Sequence, residues 1–224
     1  MKISHYRIKL LQLVLILFIT VPFQANAALK IVACFESYSD TPLLKNQGQE
    51  EISYLTDKFV SSLIGSTDNQ DCIVANSISY DFTQTLNIGS QSSGAGAGKV
   101  TFDPLILYKN VDSLSAYLFL NMAAGTPFKS VNIFFIQTSP GSTKYTTTMM
   151  VQFGLVAVSN MAVSAKTGDT NLNNNEILKM EYGGVKVTLP GGPSLKPIIS
   201  GWDRVKNISS VNADGIPNLS PPGL

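Results

Sequence analysis

The sequence GAGAGK at residues 94–99 is the first candidate for chemistry, because glycine-rich loops that end in lysine can wrap a phosphate group. A P-loop also needs a glycine five residues before the Gly-Lys pair, a Ser or Thr directly after it, and then a helix. Here Ser93 replaces that glycine, Val100 replaces the hydroxyl residue, and a strand-like sequence follows. We therefore interpret this stretch as a flexible connection between two strands and predict no nucleotide site.

Acidic residues provide two further candidates, and neither fits an established pattern. Residues 169–175 carry Asp or Asn at every second position, as a calcium loop does, but an EF-hand needs Gly at position six and Glu at position twelve. Those positions hold Asn174 and Met180. Glu181 and Asp203 have the chemistry of an acid–base pair, and nothing in the sequence places them together. We predict no metal, no cofactor and no catalytic residue.

The N-terminus has the three parts of a cleavable secretory signal. Three basic residues precede the apolar run 11–23, and Ala25 and Ala27 occupy the small-residue positions of a cleavage site. We predict that residues 1–27 are removed, that the protein is exported to the bacterial periplasm or secreted, and that no stable membrane insertion remains. His5 is the only histidine, so the mature chain would lack His-dependent nucleophiles and metal sites.

Charge and cysteine content narrow the function further. Removal of the signal takes three of the 16 Lys and Arg residues and none of the 15 Asp and Glu residues, which leaves a net charge of −2. A nearly neutral chain without a basic run is not suited to nucleic acid. Cys34 and Cys72 would meet an oxidising compartment, where a disulfide is favoured. Two buried free thiols stay open as the alternative, because spacing alone does not give the Cα distance.

Period-2 alternation and β-forming residues predict that the chain folds mainly into strands. The turn sequence PGST should join two of them as a hairpin. Pro104 should bend or break one strand, and the Gly-Gly pair at 183–184 should form a bulge in another. The predicted strands are 29–37, 72–87, 99–110, 129–139, 144–166, 177–189 and 198–207.

Two segments have helical spacing instead. Residues 111–125 have Asp112 or Ser113 as an N-cap and Gly125 as the stop signal. The apolar stripe of this helix should pack on the core; its members are Leu114, Tyr117, Leu118 and Met122. Residues 50–65 could form a short amphipathic helix, with Ile52, Leu55, Phe59 and Leu63 on one side. Many strands with short turns and a single long helix indicate an antiparallel barrel or sandwich.

The order of these motifs resembles the Hcp family, the tube proteins of bacterial type VI secretion. The resemblance begins with the Gly-Lys pair, the Phe102 to Leu105 strand start and the helix that runs from Asp112 to Gly125. It continues through the long strand pair and ends at the closing GWD motif around Trp202. Each motif is weak alone, and together they extend from about Leu29 to Asn207.

This resemblance implies a small antiparallel β-barrel of two sheets with one α-helix at its side, similar to phage tail-tube subunits. It also implies hexameric rings that stack around a lumen able to carry or chaperone an effector, and a structural protein rather than an enzyme. In such a ring, the loop that holds Gly94, Gly96, Gly98 and Lys99 is the candidate subunit contact.

Two features depart from the family pattern, namely the predicted signal and a cysteine-flanked insertion at residues 38–71. We expect a barrel domain over 28–207 and a flexible tail over 208–224. The alternative function is a monomeric secreted binding module or effector that reuses the barrel.

Overall fold

The computed structural model describes residues 28–38, 70–85, 100–138, 145–168, 176–190 and 196–209. The predicted signal, most of the predicted insertion with its amphipathic helix, the GAGAGK segment, the PGST turn and the tail from residue 210 lie outside the described residues. The described elements are β1 (Ala28–Glu36), β2 (Gln70–Ala75), β3 (Ser77–Ser79), β4 (Phe82–Gln84), β5 (Val100–Phe102), β6 (Leu105–Lys109), α1 (Ser113–Ala124), β7 (Phe128–Thr138), β8 (Tyr145–Val163), β9 (Glu176–Leu189), β10 (Ile198–Asp203) and β11 (Ile208–Ser209).

The strands pair antiparallel and form a nearly continuous circuit. The main sheet has the order β11-β10-β9-β8-β7-β1-β2, while β6 pairs with both β9 and β3. Asn76 joins β2 directly to β3, so the chain itself completes the path back to β6. The Asn76 amide donates to the Tyr108 carbonyl at 2.8 Å where the path changes partner. The predicted class is confirmed: mainly β and antiparallel, with one described helix.

The core lies inside this circuit and is built from alternate residues of each strand. Burial of these apolar side chains is the main stabilising contribution to such a fold. Its largest members are almost fully buried; they include Phe35, Leu105, Leu107, Phe128, Ile133, Phe153, Leu178 and Met180.

The single strand predicted over 72–87 is divided into β2, β3 and β4. The first break is at Asn76, whose side-chain amide donates to the Asn110 side-chain oxygen at 2.7 Å. The second break is at Asp81, whose carboxylate accepts from the Phe82 amide at 2.7 Å. At the first break the side chains that face the core change from the odd residues Ile73 and Ala75 to the even residues Ile78 and Tyr80. The break predicted at Pro104 is confirmed, since it separates β5 from β6.

Helix α1 begins and ends where the sequence predicts. The Asp112 carboxylate accepts from the Leu114 amide at 3.0 Å, and the Ser115 hydroxyl accepts from the Asp112 amide at 3.0 Å. Asp112 and Ser115 form a capping box, in which the Asp112 side chain also accepts from the Ser115 amide, with Ser in the place of the usual Glu or Gln. Gly125 ends the helix with a φ of 66°, a left-handed conformation in which a side chain would be strained.

The predicted apolar stripe of α1 is only partly correct. Leu114 and Leu118 are fully buried against the barrel core, and Met122 packs against it. Tyr117 instead lies at the surface with 37% of its area exposed, next to Phe119 and Leu120, which are more exposed still. The helix therefore uses a narrow face for packing and leaves three large apolar side chains exposed to solvent.

A buried ion pair connects the helix to the barrel. Lys109 ends β6 and Glu176 begins β9, and the two residues are register partners. The Lys109 Nζ lies 2.6 Å from Glu176 Oε2 and 2.9 Å from Asp112 Oδ1. It also donates to the Asn110 carbonyl and the Ser115 hydroxyl. These partners compensate the burial of the charge, so the ion pair fixes the start of α1 against β6 and β9.

The Gly-Gly pair at 183–184 marks an irregularity that involves two strands. Up to Tyr182 the even residues of β9 face the core, and from Val185 onward the odd residues do. Strand β8 shifts in the same way around Leu155, which has a φ of 51°. Because both strands change their inward-facing residues at the same place, the pairing of β8 with β9 keeps one register across it. The break in the register of this pair lies further along, between Val158 and Asn160. The bulge predicted on β9 is therefore absent from the pairing.

The shift divides the outer face of the barrel into two parts. On one side, the outward side chains of β1, β7, β8 and β9 are buried; we call this surface the covered wall. On the other side, Leu155 and Ala157 on β8 and Lys179 and Glu181 on β9 are exposed; we call this surface the open wall. The covered wall includes Val32, Cys34, Asn132, Phe134, Ile136, Met150, Gln152 and Lys186.

Candidate functional site

Cys34 and Cys72 are bonded as a disulfide, the state that the sequence analysis favoured. They are register partners on β1 and β2, with Cα atoms 4.0 Å apart. Cys34 belongs to the covered wall, and Cys72 packs against its apolar cluster. The disulfide therefore ties together the two ends of the chain between β1 and β2, at the edge of the covered wall.

The candidate contact residues Gly94, Gly96, Gly98 and Lys99 lie outside the described residues. The strands on either side of that segment are described, and they pair with each other as a separate two-stranded sheet, β4 with β5. Phe82 and Phe102 are register partners in it, with ring centroids 5.5 Å apart. The segment therefore leaves and returns at one place on the barrel surface, as the prediction of a connection between strands requires.

Arg204 lies beside this small sheet and is the most prominent charged group there. Its guanidinium is stacked over the Phe102 and Tyr182 rings, at 5.2 and 4.7 Å from their centroids. Its Nη1 donates to the Tyr182 carbonyl at 2.7 Å and lies 3.8 Å from a Glu181 carboxylate oxygen. These contacts hold the cation rigidly at the surface, where it can interact with an anionic or aromatic partner.

A cavity of about 570 Å³ opens next to Arg204. Its described lining consists of Val100, Thr101 and Phe102 from β5, together with Arg204 and Asn207. One cation and two aromatic or aliphatic side chains make this cavity suited to a protein side chain rather than to a phosphate, which usually needs several donors.

Burial governs the ionisation of the tyrosine under Arg204. Burial raises the pKa of Tyr182 to about 12, since the phenolate would lose its hydration. The Arg204 charge opposes this rise, and the charges of Glu181 and Asp103 add to it. The Tyr182 hydroxyl donates to the Asp103 carbonyl at 3.1 Å, a bond that also requires the neutral phenol.

Exposed apolar side chains surround Arg204 and continue onto the open wall. Phe82, Val205 and Leu155 are 39%, 73% and 41% exposed. Leu155 and Val205 both approach Gly183, where an added Cβ would lie 3.2–3.3 Å from them. We call this surface, formed by Phe82, Phe102, Leu155, Arg204 and Val205, the Arg204 surface. Apolar patches rimmed by charge are typical of protein contacts.

A second exposed apolar surface lies on α1, and we call it the helix surface. It consists of Tyr117, Phe119 and Leu120, of which the last two are 57% and 60% exposed. The helix surface and the Arg204 surface belong to different elements and differ in chemistry, because only the latter carries a cation. Sequence reasoning missed both: it assigned Tyr117 to the core, and nothing in the sequence around Arg204 signals two ring partners.

The carboxylates considered in the sequence have separate partners. Glu181 faces Arg204, while the buried Asp203 accepts from the Lys206 amide at 2.9 Å. Within the described ranges, no three His, Cys, Asp or Glu side chains come together as metal ligands would. None of the described helices has the length and apolar character needed to cross a membrane.

Comparisons with known proteins point to one family. The family model described as type VI secretion system effector, Hcp, matches residues 48–189, which is more than half of the chain. A search of curated proteins finds no match. The family match starts after β1 and ends before β10, so it is narrower than the resemblance read from the sequence.

Solved structures show the same fold at low sequence identity. A type six secretion system protein is 16% identical, with 82% of this chain and 100% of that chain covered and a TM-score of 0.57. Hcp1 from E. coli EAEC 042 is 14% identical, with 79% and 99% covered and a TM-score of 0.51. Hcp1 from Salmonella typhimurium is also 14% identical, with 82% and 99% covered and a TM-score of 0.51.

Proposed function

The chain belongs to the Hcp family of type VI secretion system effectors, and on this basis we propose that it is a structural protein that assembles with copies of itself into rings. The family match over residues 48–189 is the observation that carries the proposal. Stacked rings would enclose a lumen able to hold a protein cargo. The predicted signal would place such an assembly in the periplasm or outside the cell.

The two exposed apolar surfaces support this proposal. A ring requires a heterologous contact, in which one patch of a subunit meets a different patch of the next. The Arg204 surface and the helix surface are two such patches. Arg204 provides a cation that can stack on an aromatic ring, and the helix surface provides Tyr117 and Phe119. We propose that these two surfaces meet between neighbouring subunits.

Electron microscopy and sedimentation of the mature, disulfide-bonded protein test the proposal. We expect rings, and we expect Val205→Asp or Phe119→Asp to weaken association by roughly 30-fold or more, as loss of an interface hot spot does. Gln137→Asp, at an exposed polar position on β7, is the matched control and should leave the rings intact. A native protein that stays monomeric at high concentration would contradict the proposal and favour the monomeric binding module.

A further inference from the structure

Strands β4 and β5 form an arm that is separate from the main sheet of the barrel. Among the described strands, these two pair only with each other. All three residues of β4 are exposed, and in β5 only Val100 and Phe102 are half-buried. An isolated two-stranded hairpin is at best marginally stable in water. The position of the arm on the barrel therefore depends on a small number of side-chain contacts.

The arm joins the barrel at a hinge. Beyond this hinge the same two segments of chain pair again as β3 and β6. Two residues separate the paired parts on one strand and three on the other. The Asp103 amide donates to the Asp81 carbonyl at 3.0 Å across this gap, and Pro104 has no amide hydrogen with which to extend the pairing. Because an extra residue on one strand bends a pair of strands, the hairpin can turn between Asp81 and Pro104.

Tyr182 of β9 holds the base of the arm. Its hydroxyl donates to the Asp103 carbonyl at 3.1 Å. The Tyr182 side chain itself is part of the barrel core, where its ring packs edge-on against Phe153 with centroids 4.8 Å apart. This bond fixes the hinge to the barrel, so the arm can turn at its base without detaching.

Arg204 holds the outer part of the arm. This residue is anchored on the barrel, because its amide donates to the Gly183 carbonyl at 2.8 Å and its Nη1 donates to the Tyr182 carbonyl at 2.7 Å. Its guanidinium lies 4.7 Å from the Tyr182 ring of the barrel and 5.2 Å from the Phe102 ring of the arm. A single cation thus contacts one ring on each side of the hinge.

The remaining contacts of the arm with the barrel are also made by aromatic rings. Phe102 packs against the edge of the barrel core. Phe82 lies 5.5 Å from Phe102 and 5.5 Å from Tyr80, which precedes the hinge. Contacts between rings, and between a ring and a cation, are individually weak. They can therefore open while the barrel stays folded.

We propose that Arg204 is a positioning residue that holds the β4–β5 arm closed on the barrel, and that the arm turns about the hinge between Asp81 and Pro104 when this contact is lost. The closed position is the one that the structure shows. This part of the inference concerns one subunit and does not depend on ring assembly.

The composition of the Arg204 surface gives the arm a role in binding. Phe82 and Phe102 belong to the arm, whereas Leu155, Arg204 and Val205 belong to the barrel. The Arg204 surface is therefore continuous only when the arm is closed. A partner that covers the whole surface binds the closed state more tightly and must shift the arm toward it. By the reciprocity of linked equilibria, a closed arm binds that partner more tightly.

In this respect the inference rests on the proposed function, in which a neighbouring subunit occupies the Arg204 surface. Loss of the Arg204 contact should then weaken association in two ways. It removes one contact with the neighbour, and it also divides the surface that the neighbour covers. The position of the arm thus regulates assembly.

Distances between two nitroxide labels test whether Arg204 holds the arm. Thr83→Cys places one label on the arm and Gln137→Cys places the other on β7; both positions are exposed, and the native cysteines are occupied in their disulfide. The Phe119→Asp background, in which subunits are expected to stay apart, keeps the measurement within one subunit. The labels should show one main distance, and Arg204→Met should lower the ratio of closed to open arms roughly threefold to fivefold.

Matched variants separate this effect from a general loss of structure. Phe102→Leu removes the ring on the arm and should open the arm to a similar extent without changing a barrel residue. Lys196→Met removes an exposed cation before the other end of β10 and should leave the distances unchanged. A second label pair, at Gln137 and Lys179, lies entirely on the barrel and should keep its distance in every variant.

The proposal is wrong if the distances between arm and barrel are the same in the native protein, Arg204→Met and Phe102→Leu. If Arg204→Met also disturbs the barrel pair, Phe102→Leu alone decides. Sedimentation of the protein without Phe119→Asp tests the ring separately. An arm that opens as expected in a chain that never forms rings would support the role of Arg204 and contradict the ring. Rings together with unchanged arm distances would support the ring and overturn the role of Arg204.

Discussion

The two halves of the barrel's outer face are built from the same long strands and have opposite environments. On the covered wall, Met150 of β8 is 6% exposed, whereas Leu155, five residues later on the same strand, is 41% exposed. The boundary lies where β8 and β9 shift their inward-facing residues together, at Gly154 and Gly184. Strand identity therefore does not decide which outer face is buried.

In the proposed ring, this difference separates the part of the surface that stays within one subunit from the part that is free for a neighbour. The covered wall is closed at its edge by the disulfide of Cys34 and joined across its strands by buried polar bonds. The open wall has no comparable disulfide or buried polar row among the described residues, and it continues into the Arg204 surface. A contact between subunits is therefore expected on the open wall and not on the covered one.

Removal of the disulfide should produce the largest loss of stability. The bond joins cysteines 38 positions apart, and in the chain-entropy description a loop of that length contributes about 4 kcal/mol. Cys34→Ala/Cys72→Ala should therefore lower the free energy of unfolding by that amount, measured by urea denaturation against the oxidised protein. The reduced native protein provides the control and should resemble the double variant. Equal stability of the oxidised and cysteine-free proteins would contradict the role of the bond at the wall edge.

Truncation of matched side chains on the two walls should produce the next largest effect. Met150→Ala removes a buried side chain and should cost roughly 2–4 kcal/mol. Leu155→Ala removes a similar volume from the same strand, and it should cost less than about 1 kcal/mol because the residue is largely in solvent. Thermal or urea unfolding measures both. Similar costs at the two positions would show that the walls do not differ in the intact protein.

The fold was largely predictable because its elements are local patterns. Pro104 and the N-cap of α1 act through their own backbone, so the sequence locates them without knowledge of the fold. The division of residues 72–87 was not predictable, since Asn76 ends one pairing only because β6 and β1 lie on either side of it. Which strand each part pairs with is set by the tertiary structure, and alternation does not carry that information.

The covered wall has a sequence signal, but a search for alternating apolar and polar residues does not detect it. Residues 131–136 read VNIFFI and residues 31–35 read IVACF, and strands buried on both faces show such nearly continuous apolar runs. The Arg204 surface left no comparable signal. Arg204 lies 22 positions from Tyr182 and more than 100 from Phe102, so only the folded chain brings the three side chains together.

Ionisation of Tyr182, which lies near the boundary between the two walls, should have the smallest effect on the free energy of unfolding. The pKa of Tyr182 is raised to about 12 by burial, above its ordinary value of 10. Below that ordinary value the phenol is neutral in both the folded and unfolded states, so its contribution to stability is fully present. As the pH rises toward 12 the unfolded state ionises first, and this contribution is lost.

Tyr182→Phe should remove that part of the pH dependence. The difference in unfolding free energy between the native protein and Tyr182→Phe should shrink between about pH 9 and about pH 11. The variant also loses the bond to the Asp103 carbonyl, which should cost about 1 kcal/mol at neutral pH. Arg204→Met provides the matched change on the surface side: without the opposing charge, the pKa of Tyr182 should rise further, as followed by phenolate absorbance. If the pKa falls instead, the cation does not sit over the Tyr182 ring, and the Arg204 surface is not held as described.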